Sequence, residues 1–294
     1  MLYAEKFETM PDETKIYHRV YNSRSKRTPI ICLPGITQNS KSFHHFATRR
    51  AQEFDDKVIC IDMCGRGRSD YSEDVHRYDL MREVGDILHV MIMVEDIDTA
   101  HFVGTSRGAM QSCIIAGMRP DKVDSVVLND FGCRIHMHVL EKITCLFDEK
   151  ISSLCHFDDA LKLIYQMDNG ATQNLTPQEE EDIVYSKYKV VDEKYVCDYD
   201  REGIGQAYRS NLEVLKSLNP DYADFTALMT NIQKIPTLLL QGVNSTLLTD
   251  EIVKDTLAML EHCTHAVIKD RGHVPLLTEK DTIVALDKFL PKPD

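Results

Sequence analysis

The residues best placed to do chemistry begin with a serine. Gly104-Thr105-Ser106-Arg107-Gly108 stands directly after the apolar run His101 to Gly104 and directly before an apolar stretch that opens with Ala109 and Met110. A sharp strand-to-helix turn holds its central residue in strained backbone angles, and the small residues two before and two after it let the two chain segments pass closely. The hydroxyl of Ser106 then stands exposed as a nucleophile. The helix that follows aims its first amides at the same spot, so the Arg107 N–H is available to an oxyanion. The five letters alone also fit a serine in a tight turn with no chemistry; the strand before and the helix after them make the signal specific.

Other polar clusters carry less. Gly65 to Ser69 is glycine-rich but lacks the lysine of a phosphate-binding loop and the spacing of a dinucleotide fingerprint, so a structural turn is the better reading. His136 and His138 could face one way in a strand as a metal pair, yet no further ligand cluster accompanies them. Cys60 and Cys64 are likewise a weak metal pair. The nine cysteines are scattered singly with no Cys-x-x-Cys, as expected of reduced, mostly buried thiols rather than disulfides or zinc ligands. No metal and no organic cofactor is expected.

The elements that must position Ser106 follow an alternating pattern. Short β-branched runs at Lys15 to Tyr21, Pro29 to Leu33, Lys57 to Asp62, His101 to Gly104 and Ser125 to Asn129 are separated by helical spacing at Ser42 to Phe54 and Leu80 to Val94. That is the signature of a mainly parallel sheet with crossover helices. From about Cys133 to Asn219 the buried strands stop and helical, acidic stretches such as Pro177 to Tyr188 take over. Strands resume at Thr237 to Gly242 and His265 to Lys269. A connection so long implies a structured insertion. The expectation is an α/β core over residues 1–132 and 220–294, with a mostly helical cap over 133–219.

Several segments then resemble, in order, the motifs of the α/β-hydrolase fold. Leu33-Pro34-Gly35-Ile36-Thr37 resembles the oxyanion loop after the third strand, and Asp62 to Asp70 resembles the Asp-x-x-Gly-x-Gly-x-Ser loop after the fourth. Gly242 to Thr246 resembles the loop that usually carries the catalytic acid, and Asp270-Arg271-Gly272-His273 the loop that carries the histidine. Cys197-Asp198-Tyr199-Asp200 is similar to a cap motif of some bacterial members. The resemblance implies a serine hydrolase in which Ser106 attacks a carbonyl, His273 is the base, and the N–H groups of Ile36 and Arg107 bind the oxyanion. The dehalogenase and epoxide-hydrolase branches place an aspartate where this chain has Ser106.

The acid departs from that pattern. Ser245 and Thr246 occupy its customary position, and a hydroxyl supplies no negative charge to hold an imidazolium. Asp130 ends the strand Val127-Leu128-Asn129, a place from which some branches of the fold take their acid. Asp250 and Glu251 lie near, in what reads as the first turn of a helix, where carboxylates favour the macrodipole. Asp130 is adopted as the acid, with Asp250, Glu251 or no acid as alternatives.

Composition sets the remaining bounds. Of 294 residues, 47 are acidic and 34 are Lys or Arg, a formal charge of -13. That sign disfavours nucleic acid as a partner. With 43% hydrophobic and 28% charged residues the chain reads as globular rather than disordered. Its apolar runs are far shorter than the roughly 20 residues of a membrane span. Met1 to Thr14 lacks the apolar centre of a secretory signal, so a cytoplasmic location is expected. The sequence carries no signal of oligomeric state. The expected activity is hydrolysis of a small ester, thioester or related carbonyl compound. The rival, motivated by Thr246, is a receptor that keeps the pocket without turnover.

Overall fold

The computed structural model of the chain describes residues 2–148, 150, 153–168 and 170–292. Six strands and three helices make the first part of the core: β1 (Tyr3–Thr9), β2 (Lys15–Tyr21), β3 (Ile30–Leu33), α1 (His44–Glu53), β4 (Val58–Ile61), α2 (Leu80–Leu88), β5 (Ala100–Thr105), α3 (Arg107–Met118) and β6 (Val123–Asn129). The intervening segment holds β7 (Arg134–His136), α4 (Met137–Ile143), β8 (Ser153–Leu154), α5 (Phe157–Met167), α6 (Pro177–Lys187), β9 (Tyr188–Val191), β10 (Lys194–Cys197), α7 (Arg201–Leu218), β11 (Tyr222–Asp224) and α8 (Thr226–Asn231). The chain then returns to the core with β12 (Thr237–Gly242), α9 (Asp250–Met259), β13 (Cys263–Ile268) and α10 (Lys280–Phe289).

One sheet of eight strands runs in the order β1-β2-β4-β3-β5-β6-β12-β13. The β1–β2 and β2–β4 pairs are antiparallel, and every other pair is parallel. Successive side chains on a strand point to opposite faces, so one strand feeds two cores. Ile31 and Leu33 of β3 join Phe102 and Leu128 on one face, against Val84 and Ile87 of α2 and Ala109 and Cys113 of α3. Ile30 and Cys32 join Val103, Val127 and Leu240 on the other, against Phe46 of α1 and Leu286 of α10. A sheet buried on both faces reads as continuous apolar runs, which is why these strands are visible in the sequence.

Two sets of strands were not. β1 is an edge strand whose Glu5 is exposed and whose Glu8 is half-buried, the charged kind of edge that resists pairing with another chain. Within the segment read as lacking buried strands, β10 pairs antiparallel with both β8 and β9, and β7 pairs with β11. The β9–β10 hairpin turns on Asp192 and Glu193, both at positive φ, and leaves Val190 and Val191 exposed. Without a buried face it shows no alternation to read. The β7–β11 ladder joins the beginning and end of the excursion side by side.

The parallel strands point one way, so their C-terminal ends deliver residues 34–37, Ser106, Asp130 and 243–246 to one edge of the sheet. Loops at that edge are where open α/β sheets build sites.

Candidate active site

Ser106 caps α3 with φ 51° and ψ -109°, a backbone conformation that L-residues avoid. Its N–H is tied to Asn129 O at 3.1 Å, and its carbonyl accepts from Ala109 N at 2.9 Å. The close approach that this turn needs is visible at Gly104 and Gly108: a Cβ on Gly104 would overlap the backbone of residues 108–109, and one on Gly108 would overlap the Leu33 carbonyl.

The His273 ring lies between a hydroxyl and a carboxylate. Its Nε2 is 3.0 Å from Ser106 Oγ, and its Nδ1 is 2.6 Å from Asp130 Oδ2. Asp130 is fully buried. The Gly242 N–H donates to its Oδ1 at 3.0 Å and the Ser245 hydroxyl to its Oδ2 at 2.6 Å, so the buried charge is met from three directions. The other candidate acids lie elsewhere. Asp250 accepts from Gln241 Nε2 at 2.9 Å, Glu251 pairs with Arg134 at 2.9 Å, and Thr246 is exposed.

Two further polar constructions surround this line. In the loop after β3, the Gln38 N–H donates to Gly35 O at 3.1 Å and Arg66 Nε donates to Ile36 O at 2.9 Å, which fixes the peptide planes on both sides of Ile36. The Arg107 N–H heads α3, where a helix has no internal acceptor to offer. One buried carboxylate ties these two places together: Glu83 accepts from Arg66 at 2.6 Å, from Arg107 Nε at 2.7 Å and from Gln111 at 2.7 Å. Burial alone would push the Glu83 carboxyl up, but the Arg107 and Arg66 guanidiniums outweigh it and hold it below the usual carboxylate range.

The histidine loop has its own clamp. Arg271 donates to Glu279 at 2.8 Å in the core, and to Gln173 O at 2.9 Å and Glu179 at 2.6 Å in the intervening segment. Asn129 Nδ2 holds Pro275 O at 2.9 Å. Neither Glu83 nor Arg271 was singled out from sequence. The available signal for Glu83 was a carboxylate beside Val84 and Ile87 on the apolar side of an amphipathic helix.

Two motifs prove structural. Asp62 accepts from the Ser40 and Arg68 N–H groups at 2.6 and 2.9 Å, and Ser69 Oγ donates to Asp62 O at 2.6 Å, so Gly65 to Ser69 is a braced turn. Asp198 to Asp200 lie against that turn: the Gly67 N–H donates to Asp198 O at 2.8 Å, and Tyr78 donates to Asp200 at 2.5 Å. The rings of His136 and His138 stack, with centroids 5.7 Å apart.

Residues 28–141 match the family model of the α/β hydrolase fold. The chain is 23% identical over 279 residues to a 3-hydroxybutyrate-oligomer hydrolase of Cupriavidus necator, covering 93% of this chain and 91% of the relative. It is 22% identical over 257 residues to an sn-1-specific diacylglycerol lipase of Danio rerio, covering 86% of this chain and 75% of that one. Among solved structures it superposes on an α/β hydrolase from Novosphingobium aromaticivorans with a TM-score of 0.82 at 23% identity, over 98% of each chain. With the eight-stranded sheet and its flanking helices, these matches show that the chain has the α/β-hydrolase fold.

Proposed function

We propose that the chain is a serine hydrolase that cleaves a carboxylic ester, thioester or related carbonyl substrate through an acyl-enzyme on Ser106. The observation that carries this reading is the position of the His273 ring, with one nitrogen toward Ser106 Oγ and the other toward the buried Asp130. In this mechanism His273 takes the Ser106 proton as the hydroxyl attacks the carbonyl carbon, then returns it to the leaving alcohol or thiol. Asp130 keeps the imidazole in the tautomer that leaves Nε2 free to accept, and stabilises the imidazolium. The Ile36 and Arg107 N–H groups receive the oxyanion, and water repeats the sequence to release the acid.

Both named relatives act, by their names, on esters, of hydroxybutyrate oligomers and of diacylglycerol, which supports an ester substrate here. In the same reading residues 133–219 serve as a cap that walls the pocket. No disulfide joins cysteines among the described residues, which supports a reducing, cytoplasmic setting, and no helix among them is long and apolar enough to cross a membrane.

The test is labelling with a fluorophosphonate alongside a panel of acyl esters of varied chain length. Ser106→Ala is expected to abolish both labelling and hydrolysis while melting as the parent does. Hydrolysis at the parental rate by Ser106→Ala would remove Ser106 from the mechanism.

A further inference from the structure

The edge of the sheet opposite Ser106 carries a second polar construction. A cleft of about 250 Å³ lies there at the first residues of β3 and β5, walled by the last turn of α1 and by the chain after α10. Its charged and titratable lining is Arg27, Arg50, Asp56, His101 and Lys292. Ser106 follows the far end of β5, roughly 16 Å from His101 at the rise of an extended strand. The cleft is therefore separate from the candidate active site.

Three cations in this lining share one carboxylate. Asp56 Oδ1 accepts from Arg27 Nε at 2.8 Å, and its Oδ2 accepts from Arg50 Nε at 2.7 Å. Arg50 is fully buried, and its Nη2 donates to Pro291 O at 2.8 Å, which ties the chain after α10 to α1. Its Nη1 has no hydrogen-bond partner; a second carboxylate, Asp287, is 3.8 Å off and is held at both oxygens by Arg49. Arg27 is partly exposed, and among the described residues its two terminal nitrogens make no hydrogen bond. Lys292 is exposed and has no ion pair among them. Asp124, whose charge also reaches His101, does not line the cleft.

Arg50 thus has a structural task, whereas Arg27 gives Asp56 one of its nitrogens and Lys292 gives none. His101 adds a further group: its Nδ1 is 2.8 Å from Ser125 Oγ, which leaves Nε2 free. With the Ser125 hydroxyl donating to Nδ1, the ring proton sits on Nε2 and can be donated to a ligand. In a chain of formal charge -13 this local surplus of positive charge stands apart from the rest of the surface. A guanidinium fork and an ammonium are the donors that match phosphate oxygens. Pockets for drug-sized ligands hold about 300–1,000 Å³, so this smaller cleft suits a small anion.

We infer that this cleft binds a small phosphate, as inorganic phosphate or as the phosphate group of a small ester, with Arg27, His101 Nε2 and Lys292 as donors and Arg50 supplying buried charge. The inference is independent of the serine-hydrolase reading.

Calorimetric titration of the full chain with inorganic phosphate, with sodium chloride holding the ionic strength constant, should give a saturable isotherm. Tm should rise by several degrees once phosphate exceeds Kd about a hundredfold. Arg27→Met should weaken binding about tenfold or more, because charge-assisted hydrogen bonds are lost. Lys292→Met, at an exposed position, should weaken it about two- to fivefold. The NMR signals of the His101 ring should move in step with saturation while those of the exposed His76 stay in place. Glycerol 3-phosphate binding more tightly than phosphate would assign the site to an ester, and weaker binding to the free ion; either supports the inference. Absence of saturable binding overturns it, and so does binding of equal strength in Arg27→Met. Should Arg27→Met fail to fold, the parent's His101 signals decide: signals unmoved at saturating phosphate overturn the inference.

Discussion

The sheet edge and the segment that spans residues 134–224 meet around one site but are held by different forces. At the sheet edge, Asp130 and Glu83 are wholly buried, and their partners come from the end of β12, from α3 and from loops that leave the strands of the two apolar cores. The intervening segment rests on the core partly through polar contacts along its seam: Asp198 with Asn39 and Lys41, Asp200 with Tyr78, and Glu179 with Arg271. Buried pairs are rigid and costly to break, whereas a polar seam can adjust around a ligand without disturbing the core. The reacting groups should thus be preorganised by the core, and substrate choice should be decided at the seam.

The largest effect should come from the core. Asp130→Asn removes the charge beside the imidazole and leaves an amide whose N–H can favour the wrong tautomer. Loss of the acid in the serine-protease example costs on the order of four powers of ten in turnover. Asp130→Asn should lose a similar factor in kcat with its fold kept. Activity within a few-fold of the parent would reopen Asp250 and Glu251, although neither contacts His273.

Next in size is Glu83→Gln. Loss of an oxyanion donor costs about 10²–10³ in kcat, and loosening both supports of the Ile36 and Arg107 N–H groups should cost roughly ten- to a hundredfold. KM should move little, and a boronic-acid inhibitor that mimics the tetrahedral state should weaken in step with kcat. Two guanidiniums left facing each other should also cost about 3–5 kcal/mol of stability. The pH dependence has a definite sign. The Glu83 carboxyl is held below its unfolded value of 4.5, so its contribution is complete above that pH and is lost as the pH falls through the lower folded value. The fall of Tm on acidification should therefore be shallower in Glu83→Gln than in the parent. A parallel acid limb in the two proteins would mean that Glu83 is not the charged anchor described.

At the seam the balance reverses. Arg271→Met releases the histidine loop from Gln173 and Glu179. It should raise KM by about tenfold and change kcat less, because His273 retains its contacts with Asp130 and Ser106. Each kcal/mol lost lowers Tm by about 2–4 °C in a chain of this general size, and a loss of several degrees is expected. An equal fall in kcat with KM unchanged would show that the seam, too, organises the reacting groups.

How much of this was legible follows the same division. Ser106, His273 and Asp130 stand at the ends of strands whose apolar runs announce them, so chain order and strand position sufficed to choose the residues that the fold brings together. The strands β8–β10 could not be read, because neither their length nor a buried face separates them from loop. Glu83 and Arg66 escaped for another reason: they are far apart in sequence, and only the packing of α2 beneath the elbow makes one carboxylate serve two arginines.

The smallest effects test the loop after β12, where family resemblance points to an acid and the chain has Ser245 and Thr246. The two hydroxyls are not equivalent. Ser245 Oγ donates to Asp130 Oδ2, the oxygen that also meets His273, and it accepts from the Leu247 and Leu248 N–H groups at 3.2 and 3.0 Å. Thr246 is exposed. Ser245→Ala should lower kcat about three- to tenfold, since it removes one donor from a carboxylate that keeps two others. Thr246→Val should stay within about twofold. In the Asp130→Asn background, a carboxylate at 245 is the one able to approach Nδ1, so Ser245→Asp should recover part of the lost activity where Thr246→Asp recovers none. Recovery by Thr246→Asp alone, measured as kcat on the same ester, would mean that this loop swings inward during turnover and that the customary acid position remains usable.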